Sequence, residues 1–455
     1  MLWKAGNENG ILGTCILKQN LVYERERKQF SHDQYGRLAV REGVIAEKQT
    51  VGTGEENMNI LVINCGSSSL KYQLIDSEKK AVLAKGLCER IGIEGSAISH
   101  QKMGEGKGKS LEPMENHTDA VQLVIKKLTD PIQGVISSLE EIDAVGHRMV
   151  HGGEEFAGSC VITEEVLKTV ESCNDLAPLH NPANLIGIAA CKEVMPKVPM
   201  VGVFDTAFHQ TMPKKAYLYG LPYEYYEKYK VRRYGFHGTS HDFVSKRAAA
   251  ILGKDREELK IIVCHLGNGA SVTAVKNGVS VDTSMGLTPL EGLIMGTRSG
   301  DLDPAIVTFL AAKEGKSAEE IMDICNKKAG VLGLSSGFSS DFRDLAEAAD
   351  EGNEGAKTAL EAYAYRVGKY IGAYAAAMNG VDVICFTAGA GENNAEVRAL
   401  IGEYIGFLGT NIDPEKNKVR GEEVILSDKG SKVVTMVVPT DEEMAIAQET
   451  ERLLQ

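Results

Sequence analysis

The sequence predicts an α/β protein built from two related halves that enclose a cleft. In LVINCGSSSLKYQL, at residues 61–74, an apolar run, a Gly-Ser loop and an alternating apolar segment follow one another. The same pattern returns in IIVCHLGNGASVTAVK at 261–276. Alternation after each loop is typical of a strand, so both stretches predict β-hairpins. Two such hairpins about 200 residues apart predict an internal duplication, with roughly 150 residues per domain as the usual scale.

The hairpin tips are predicted to bind phosphate. Each tip offers backbone N–H groups, and the first adds the hydroxyls of Ser67, Ser68 and Ser69, a combination that suits phosphate oxygens. Neither tip is a P-loop, which requires GxxxxGK[ST] between a strand and a helix. The GKS at 108–110 is also rejected, because Met103 stands where that motif needs Gly, and we predict a loop there. A plain turn is the alternative for either tip alone, whereas a duplicated pair predicts a nucleotide clamp.

Three more apolar runs end in turns that belong at the edge of such a cleft. VGVF ends at Asp205, and VDVICF at 381–386 is followed by a predicted Gly turn and a helix that begins at Asn394–Ala395. The run VVTMVV at 433–438 precedes a predicted capping box. Ligands of α/β sheets bind at strand ends.

The predicted capping box is Thr440-x-x-Glu443, which would start the last helix. For Asp205, Asp441 and Glu442, helix capping or simple solvation is the alternative to a functional role.

Composition narrows the function classes. The chain has 455 residues, 43% hydrophobic and 25% charged, which is ordinary for a globular protein. A net charge of −13 disfavours nucleic acid and anionic membranes as partners. No apolar run approaches the roughly 18 residues of a membrane helix. The nine dispersed Cys indicate reduced thiols, so we expect a cytoplasmic protein.

Residues 1–57 differ from the remainder. They are polar, with balanced charges and no helical or strand pattern, and Met58 then opens a buried strand. We expect a disordered extension or a mis-called start at 1–57, with a regulatory or targeting arm as the alternative.

From Met58 onward, eight motifs in order resemble the acetate kinase family. They are NCGSSSLKY (64–72), GHRMVHGG (146–153), LAPLHNPANL (176–185), FDTAFH (204–209), RRYGFHGTSH (232–241), HLGNGAS (265–271), DTSMGLTPLEGLIMGTRSGDLDP (282–304) and TDEEMAI (440–446). The resemblance implies the sugar kinase/Hsp70/actin fold, in which two duplicated actin-like (ribonuclease H-like) domains surround a nucleotide cleft. It implies an N-terminal domain of 58–205 plus 441–455, and a C-terminal domain of 206–440 with the nucleotide-binding loops.

The implied activity is reversible, direct in-line transfer of the ATP γ-phosphoryl group to acetate, giving acetyl phosphate and ADP. Mg²⁺, or Mn²⁺ as a substitute, is the implied cofactor, and a homodimer the implied assembly. An acetate carboxylate is already ionised at pH 7 and needs no general base. Its site needs cations that neutralise the transferring group.

The resemblance assigns roles to particular residues. Arg148 and Arg298 match the substrate-site arginines, and His237 matches the histidine at the γ-phosphoryl group in the transition state. His180 matches a supporting histidine near acetate, and Asp205 belongs to the catalytic set. The implied acetate pocket is formed by Val150, Leu179, Phe236 and Pro289. The implied ATP contacts are Lys71, Ser67, Ser69, His265, Leu266, Gly267, Asn268, Gly269, Asp341, Phe342, Arg343, Gly389, Ala390, Gly391, Glu392 and Asn393. The implied metal-side residues are Asn64, Asp205 and Glu442.

Three alternatives stay open at this stage. The first is a propionate or other short-chain carboxylate kinase. The second is a non-catalytic actin- or Hsp70-like ATP-binding scaffold, which the pair Arg148 and Arg298 beside His180 and His237 disfavours. The third is zinc binding at the HxxxH pairs, which lack the Glu of HExxH and a third ligand.

Overall fold

A computed structural model describes residues 57–178 and 180–455. The predicted extension at 1–57, apart from its last residue, and the predicted pocket residue Leu179 lie outside the described residues. Within them the chain forms two β-sheets with helices packed on both.

The first sheet has eight strands within the described ranges, in the order β5-β4-β3-β2-β1-β6-β8-β7. Its strands are β1 (Asn59–Cys65), β2 (Ser69–Asp76), β3 (Ala81–Glu89), β4 (Ala97–Lys102), β5 (Gly108–Leu111), β6 (Ala144–Met149), β7 (Cys160–Val161) and β8 (Met200–Phe204). The predicted first hairpin is confirmed, because β1 and β2 pair antiparallel with Asn64 opposite Lys71. Strand β6 then lies parallel to β1, and β8 parallel to β6.

The second sheet repeats this plan in the order β11-β10-β9-β12-β14-β13. Its strands are β9 (Lys260–Leu266), β10 (Ala270–Lys276), β11 (Val279–Thr283), β12 (Val383–Thr387), β13 (Val424–Ile425) and β14 (Val434–Val437). The second predicted hairpin, β9–β10, is also confirmed. Strands β12 and β14 continue parallel, and the edge strand β13 is antiparallel, as β7 is in the first sheet. Six strands therefore correspond one to one, which confirms the predicted duplication.

The helices follow the strands in chain order. They are α1 (His117–Leu128), α2 (Glu164–Ser172), α3 (Asn181–Val194), α4 (Lys214–Tyr217), α5 (Tyr223–Tyr229), α6 (Gly238–Leu252), α7 (Ala305–Glu314), α8 (Ala318–Lys327), α9 (Gly330–Leu334), α10 (Phe342–Asp350), α11 (Glu354–Met378), α12 (Ala388–Asn393), α13 (Ala395–Ile405) and α14 (Glu442–Leu454). None of these helices is both long enough and apolar enough to cross a bilayer.

Helix α14 returns the end of the chain to the first sheet. It follows β14 of the second sheet, yet Ile446 and Ala447 pack with Ile60, Val62 and Val203 in one buried cluster. Its first turn therefore lies where the two sheets approach each other.

Three local predictions were wrong. The GKS segment is not a loop but the exposed edge strand β5, which pairs with β4. The Gly turn after β12 is itself helical, as α12, although the next helix does begin at Ala395 with Asn394 as its N-cap. Helix α14 is capped by Asp441, which accepts from the Met444 N–H, and not by Thr440. The Thr440 hydroxyl bonds Ser240 Oγ at 2.8 Å instead.

Candidate active site

Two cavities with shared walls lie at the hairpin tips. The first, of about 450 Å³, is lined by Asn64, Lys71, Arg148, His237, His265, Gly267, Asn268, Gly269, Ala388, Gly389, Glu392, Thr440, Glu442, Glu443 and Ile446. The second, of about 560 Å³, is lined by Gly267, Asn268, Ser340, Asp341, Phe342, Arg343, Gly389, Ala390, Asn393, Asn394 and Arg420. Residues Gly267, Asn268 and Gly389 line both, so the two form one continuous cleft.

The first hairpin reaches the cleft through its strands and not through its serines. Asn64 and Lys71 face each other across the hairpin and line the first cavity. The tip itself is closed by a hydrogen bond from the Gly66 N–H to the Ser69 carbonyl at 2.9 Å. Ser67 is exposed, and neither Ser67 nor Ser69 lines either cavity.

The second hairpin places Gly269 between two predicted functional side chains. A Cβ at Gly269 would stand 3.3 Å from Arg298 Nη1 and 3.7 Å from His237 Nε2. The absence of a side chain there leaves the approach to both groups open. The sequence predicted these three residues from separate motifs, and the fold brings them together.

Arg148 forms a two-pronged ion pair with Asp205. Arg148 Nε and Nη2 lie 3.1 Å and 2.7 Å from the two carboxylate oxygens, and Asp205 is 1% exposed. Glu442 Oε2 is 4.0 Å from Arg148 Nε. Burial, opposed by Arg148 and reinforced by the nearby Asp205 and Glu443, raises the pKa of Glu442 to about 7. Asp205 and Glu442, two of the three predicted metal-side residues, therefore both lie next to Arg148.

Magnesium fits these residues. Mg²⁺ keeps several waters and takes one or two protein carboxylates with oxygen donors. Asp205, Glu442 and the Asn64 amide offer that set, and a bound cation would favour the ionised form of Glu442, which burial disfavours. No group of three or more His, Cys, Asp or Glu side chains suited to a metal occurs among the described residues.

Arg298 has no acidic partner among the described residues. Its Nη1 donates to the Pro289 carbonyl at 3.2 Å, and no carboxylate of the described residues lies within 4.0 Å of it. Burial lowers its pKa from the ordinary value. An electropositive group that is partly desolvated and unpaired is suited to an anionic ligand.

The histidines of the cleft are neutral. His237 has a left-handed backbone (φ 57°) that aims its ring from the start of α6, and the ring stacks on His265 with centroids 4.1 Å apart. Burial, aided by His265, His241 and both arginines, lowers the pKa of His237 well below its ordinary value. Burial also lowers the pKa of His180, and Arg298 and Arg148 lower it further, so His180 lies near both arginines.

The predicted acetate pocket is partly supported by packing. Val150 and Phe236 are both buried and belong to one apolar cluster, although they come from different halves of the chain. The Val150 N–H is held by Asn184 Oδ1 at 3.0 Å. Pro289 contacts the site through its carbonyl, which accepts a hydrogen bond from Arg298.

Twelve of the sixteen predicted ATP residues line one or both cavities. Among them, Asp341 and Arg343 form an ion pair on the wall of the second cavity, where Asn393 donates to the Gly389 carbonyl. Glu392 Oε1 accepts hydrogen bonds from the N–H groups of Ala388 and Thr440. The other four, Ser67, Ser69, Leu266 and Gly391, line neither cavity, and Leu266 is buried in the core.

Sequence reasoning missed seven residues that line the cleft. They are Ser340, Ala388, Asn394, Arg420, Thr440, Glu443 and Ile446. Thr440 and Ile446 lie within the recognised TDEEMAI motif, so their neighbours gave a signal. Arg420 had none, because it lies in an irregular segment far from every motif.

Comparison with known proteins gives one consistent answer. The model of the acetokinase family matches residues 59–448. Acetate kinase of Lachnoclostridium phytofermentans is 65% identical over 398 residues, which cover 87% of this chain and 100% of the relative. Acetate kinase of Thermotoga maritima is 61% identical over 400 residues, covering 88% and 99%.

Solved structures agree. The crystal structure of Porphyromonas gingivalis acetate kinase aligns with a TM-score of 0.85 at 51% identity, covering 88% of this chain and all of that one. A propionate kinase from Francisella tularensis aligns at 0.82 and 42%, covering 87% of this chain and all of that one. The predicted fold, two duplicated α/β domains of the actin-like type, is confirmed. On the matched motifs, the shared fold and this level of identity, the chain belongs to the acetokinase family.

Proposed function

We propose that this chain is a reversible acetate kinase that transfers the γ-phosphoryl group of ATP directly to acetate. The observation that carries this proposal is the meeting of unpaired Arg298 with His237 at the Gly269 tip of the second phosphate hairpin. A cationic group and a neutral N–H donor beside a glycine-lined tip suit a phosphoryl group in transfer.

The acceptor needs binding and not deprotonation. Acetate arrives as a carboxylate, and the guanidinium of Arg298 can hold either its oxygens or the phosphoryl oxygens. Arg148, fixed by Asp205, adds positive charge to the cleft, and His180 lies close to both arginines. His237 donates to the transferring group, whose negative charge is spread over its oxygens in the transition state.

Asn64, Asp205 and Glu442 would hold Mg²⁺, which neutralises charge on the ATP phosphates when bound. Mn²⁺ offers similar coordination chemistry. Lys71 and the 267–269 tip would contact the phosphates, and the second cavity, with Asp341, Phe342 and Arg343, would take the adenosine.

Val150, Phe236 and Pro289 would form the wall that receives the acetate methyl group, with Leu179 as the fourth predicted member. A hydrophobic wall discriminates one methylene by only about 1–3 kcal/mol. Slower use of propionate is therefore expected. A non-catalytic scaffold would have no use for an unpaired, partly buried arginine beside the phosphate tip.

The domain division at 58–205 plus 441–455 and 206–440 follows the two sheets and the return of α14 to the first. We also propose a homodimer, supported by α7, a helix with no buried residue whose Phe309 is 59% exposed. The cytoplasm is the proposed location, and neither nucleic acid nor membrane is a proposed partner.

An acyl-phosphate trap tests the activity. The full chain is incubated with ATP, Mg²⁺ and hydroxylamine, and with acetate, propionate or butyrate in turn. Acetohydroxamate should form fastest and propionohydroxamate more slowly. Faster reaction with propionate would reassign the substrate, and no hydroxamate with any acid despite ATP binding would favour the scaffold.

A further inference from the structure

A buried network of hydrogen-bonded side chains leads away from His237. His237 Nδ1 lies 2.9 Å from Ser271 Oγ, and the same oxygen lies 2.7 Å from His241 Nε2. Ser271 and His241 are fully buried and line neither cavity. Their hydrogen bonds reach the cleft through His237.

Counting donors and acceptors allows the hydrogen bonds that link His237, Ser271 and His241 to run in either of two directions. Burial and neighbouring histidines lower the pKa of both His237 and His241 well below the ordinary value, so each ring is neutral and carries one N–H. In one direction, His241 Nε2–H donates to Ser271, whose hydroxyl donates to His237 Nδ1. In the other, His237 Nδ1–H donates to Ser271, whose hydroxyl donates to His241 Nε2.

The ring nitrogen of His241 that lies farthest along this network, Nδ1, distinguishes the two hydrogen-bond directions. His241 Nδ1 is buried and has no hydrogen-bond partner among the described residues. The second direction would place a hydrogen on that nitrogen and leave a buried N–H with no acceptor. The first leaves only an unshared lone pair there, pairs the His241 N–H and the Ser271 O–H within the network, and directs the one remaining N–H, at His237 Nε2, to the cleft.

The position of His237 Nε2 in the cleft favours the same hydrogen-bond direction. His237 Nε2 lies on the side of Gly269, beside Arg298 Nη1. In the first direction His237 presents Nε2–H to the cleft, where it can donate to an anion. In the second it presents a lone pair, which repels one.

We propose that Ser271 and His241 are positioning residues that hold His237 as the Nε2–H tautomer, so that a neutral imidazole donates to the phosphoryl group. The role in transfer rests on the proposed function, whereas the tautomer is a property of the free protein and is measured without turnover.

Variants separate hydrogen bonding from packing. Ser271→Ala removes the bridge, Ser271→Thr keeps the hydroxyl, His241→Leu removes the donor, and His241→Gln keeps an N–H donor on a side chain of similar reach. Ser280→Ala is the matched control, because buried Ser280 bonds His209 Nδ1 at 2.9 Å and lines neither cavity of the cleft.

We expect Ser271→Ala and His241→Leu to lower kcat by roughly 10- to 100-fold, less than the 10²–10³ lost when a preorganised donor itself is removed. KM for ATP and acetate should change by less than about threefold, because the loss is confined to the transition state. Ser271→Thr and His241→Gln should recover most of kcat, and Ser280→Ala should match the wild type.

The tautomer is read by nitrogen NMR of the full chain labelled with ¹⁵N-histidine, with His237→Gln to assign the signal. We expect a protonated Nε2 and an unprotonated Nδ1 for His237, and a mixture in Ser271→Ala. A proton on Nδ1 in the wild type would overturn the proposal, as would a kcat for Ser271→Ala equal to that of Ser280→Ala. Failure of the wild-type chain in the trap would overturn the proposed function alone, because the NMR result decides the tautomer independently.

Discussion

At the residue scale, the two arginines predicted for the substrate site differ in their bonding partners. Arg148 is tied to the buried carboxylate of Asp205, whereas Arg298 contacts only a carbonyl and a methionine sulfur among its described hydrogen-bond partners. Arg148 therefore contributes to both folding and charge in the cleft. Arg298 pays a desolvation cost in the free protein and gains a partner when an anion binds.

Substitution should separate these roles. Arg148→Ala and Arg298→Ala should each lower kcat at least about 100-fold, the scale for losing a preorganised charge. Arg148→Ala should also lower the free energy of unfolding by about 3 kcal/mol, because it leaves Asp205 buried and unpaired. Arg298→Ala should leave that free energy unchanged or raise it. Urea unfolding monitored by circular dichroism measures both.

A double-variant cycle is the control for the ion pair. Arg148→Ala with Asp205→Ala should be less destabilised than the sum of the single variants. Equal stability losses for the two arginine variants would contradict the distinction drawn between them.

A methyl group at Gly269 should obstruct the cleft without disturbing the fold. Gly269→Ala places a Cβ 3.3 Å from Arg298 Nη1 and 3.7 Å from His237 Nε2. We expect kcat/KM for ATP to fall about tenfold, because small displacements of positioned groups are costly. Gly406→Ala, whose Cβ would meet open space, is the control. Unchanged kcat/KM in Gly269→Ala would place the reacting group elsewhere.

At the element scale, the first residues of α14 contribute both to the stability of the helix and to the lining of the cleft. Asp441 caps this helix through its side chain at 3.0 Å from the Met444 N–H, and Glu442 follows directly in the cleft. Asp441→Ala should lower the free energy of unfolding by about 1 kcal/mol, the usual value of an N-cap. Asp441→Asn keeps an acceptor and should lose only a few tenths. A loss equally large in both variants would mean that the charge, and not the cap, matters.

The strands of the cleft were predictable because their signals are local. The runs around Ile63, Cys264 and Cys385 are uniformly apolar, so both hairpins were predicted correctly, and the apolar runs that end at Asp205 and Phe386 do form strands β8 and β12. The cap of α14 was not predictable, because the Thr440 hydroxyl is taken by Ser240, which lies 200 residues earlier. Edge strand β5 carries no apolar pattern, since its residues are exposed or half-buried.

The site was predictable only in part, because some of its contacts join residues that are distant in sequence. Motifs placed Arg148, His237 and Arg298 in one cleft, but not the pairing of Arg148 with Asp205. These two residues lie 57 positions apart, on β6 and just after β8, and only the sheet order makes them neighbours. The serines of the first tip were assigned to the ligand, yet the tip is closed on itself and the strand residues face the cleft.

At the scale of the whole molecule, buried histidines should make stability depend on pH. The pKa values of His147 and His265 are lowered to about 3, and those of His151 and His209 to about 4, mainly by burial, and His237 and His241 are also lowered. Unfolded histidines bind protons near pH 6.5, so the unfolded chain binds more protons and stability falls as pH drops below about 6.5.

Two carboxylates oppose this trend. The pKa of Asp282 is raised to about 6 and that of Glu442 to about 7, so their folded forms keep protons that the unfolded chain has released. These six histidines, together with His100 and His180, whose pKa values burial also lowers, outweigh the two carboxylates, and Tm should therefore rise from pH 5.5 to pH 7.5 in calorimetry. A Tm that is constant or falls over this interval would contradict the neutral state of the histidines.

The apolar surface of α7 should mark the subunit contact. Ile306 and Phe309 are 41% and 59% exposed on a helix with no buried residue. Phe309→Glu should convert a dimer into a monomer in sedimentation experiments, because a charge would be desolvated at the interface. Phe407→Glu, at another exposed phenylalanine, is the control for added charge. A wild-type monomer, or a dimer that survives Phe309→Glu, would refute this interface.

The return of α14 to the first sheet also has a consequence for biosynthesis. A ribosome releases the first sheet long before the segment that covers Ile60, Val62 and Val203. Domains generally fold in the order in which they are made, yet here the first sheet stays uncovered along one apolar face until α14 has been synthesised. The first residue of the same helix is Glu442. A message truncated before the codon for Glu442 would therefore yield a chain that exposes this apolar face and lacks a residue that lines the cleft.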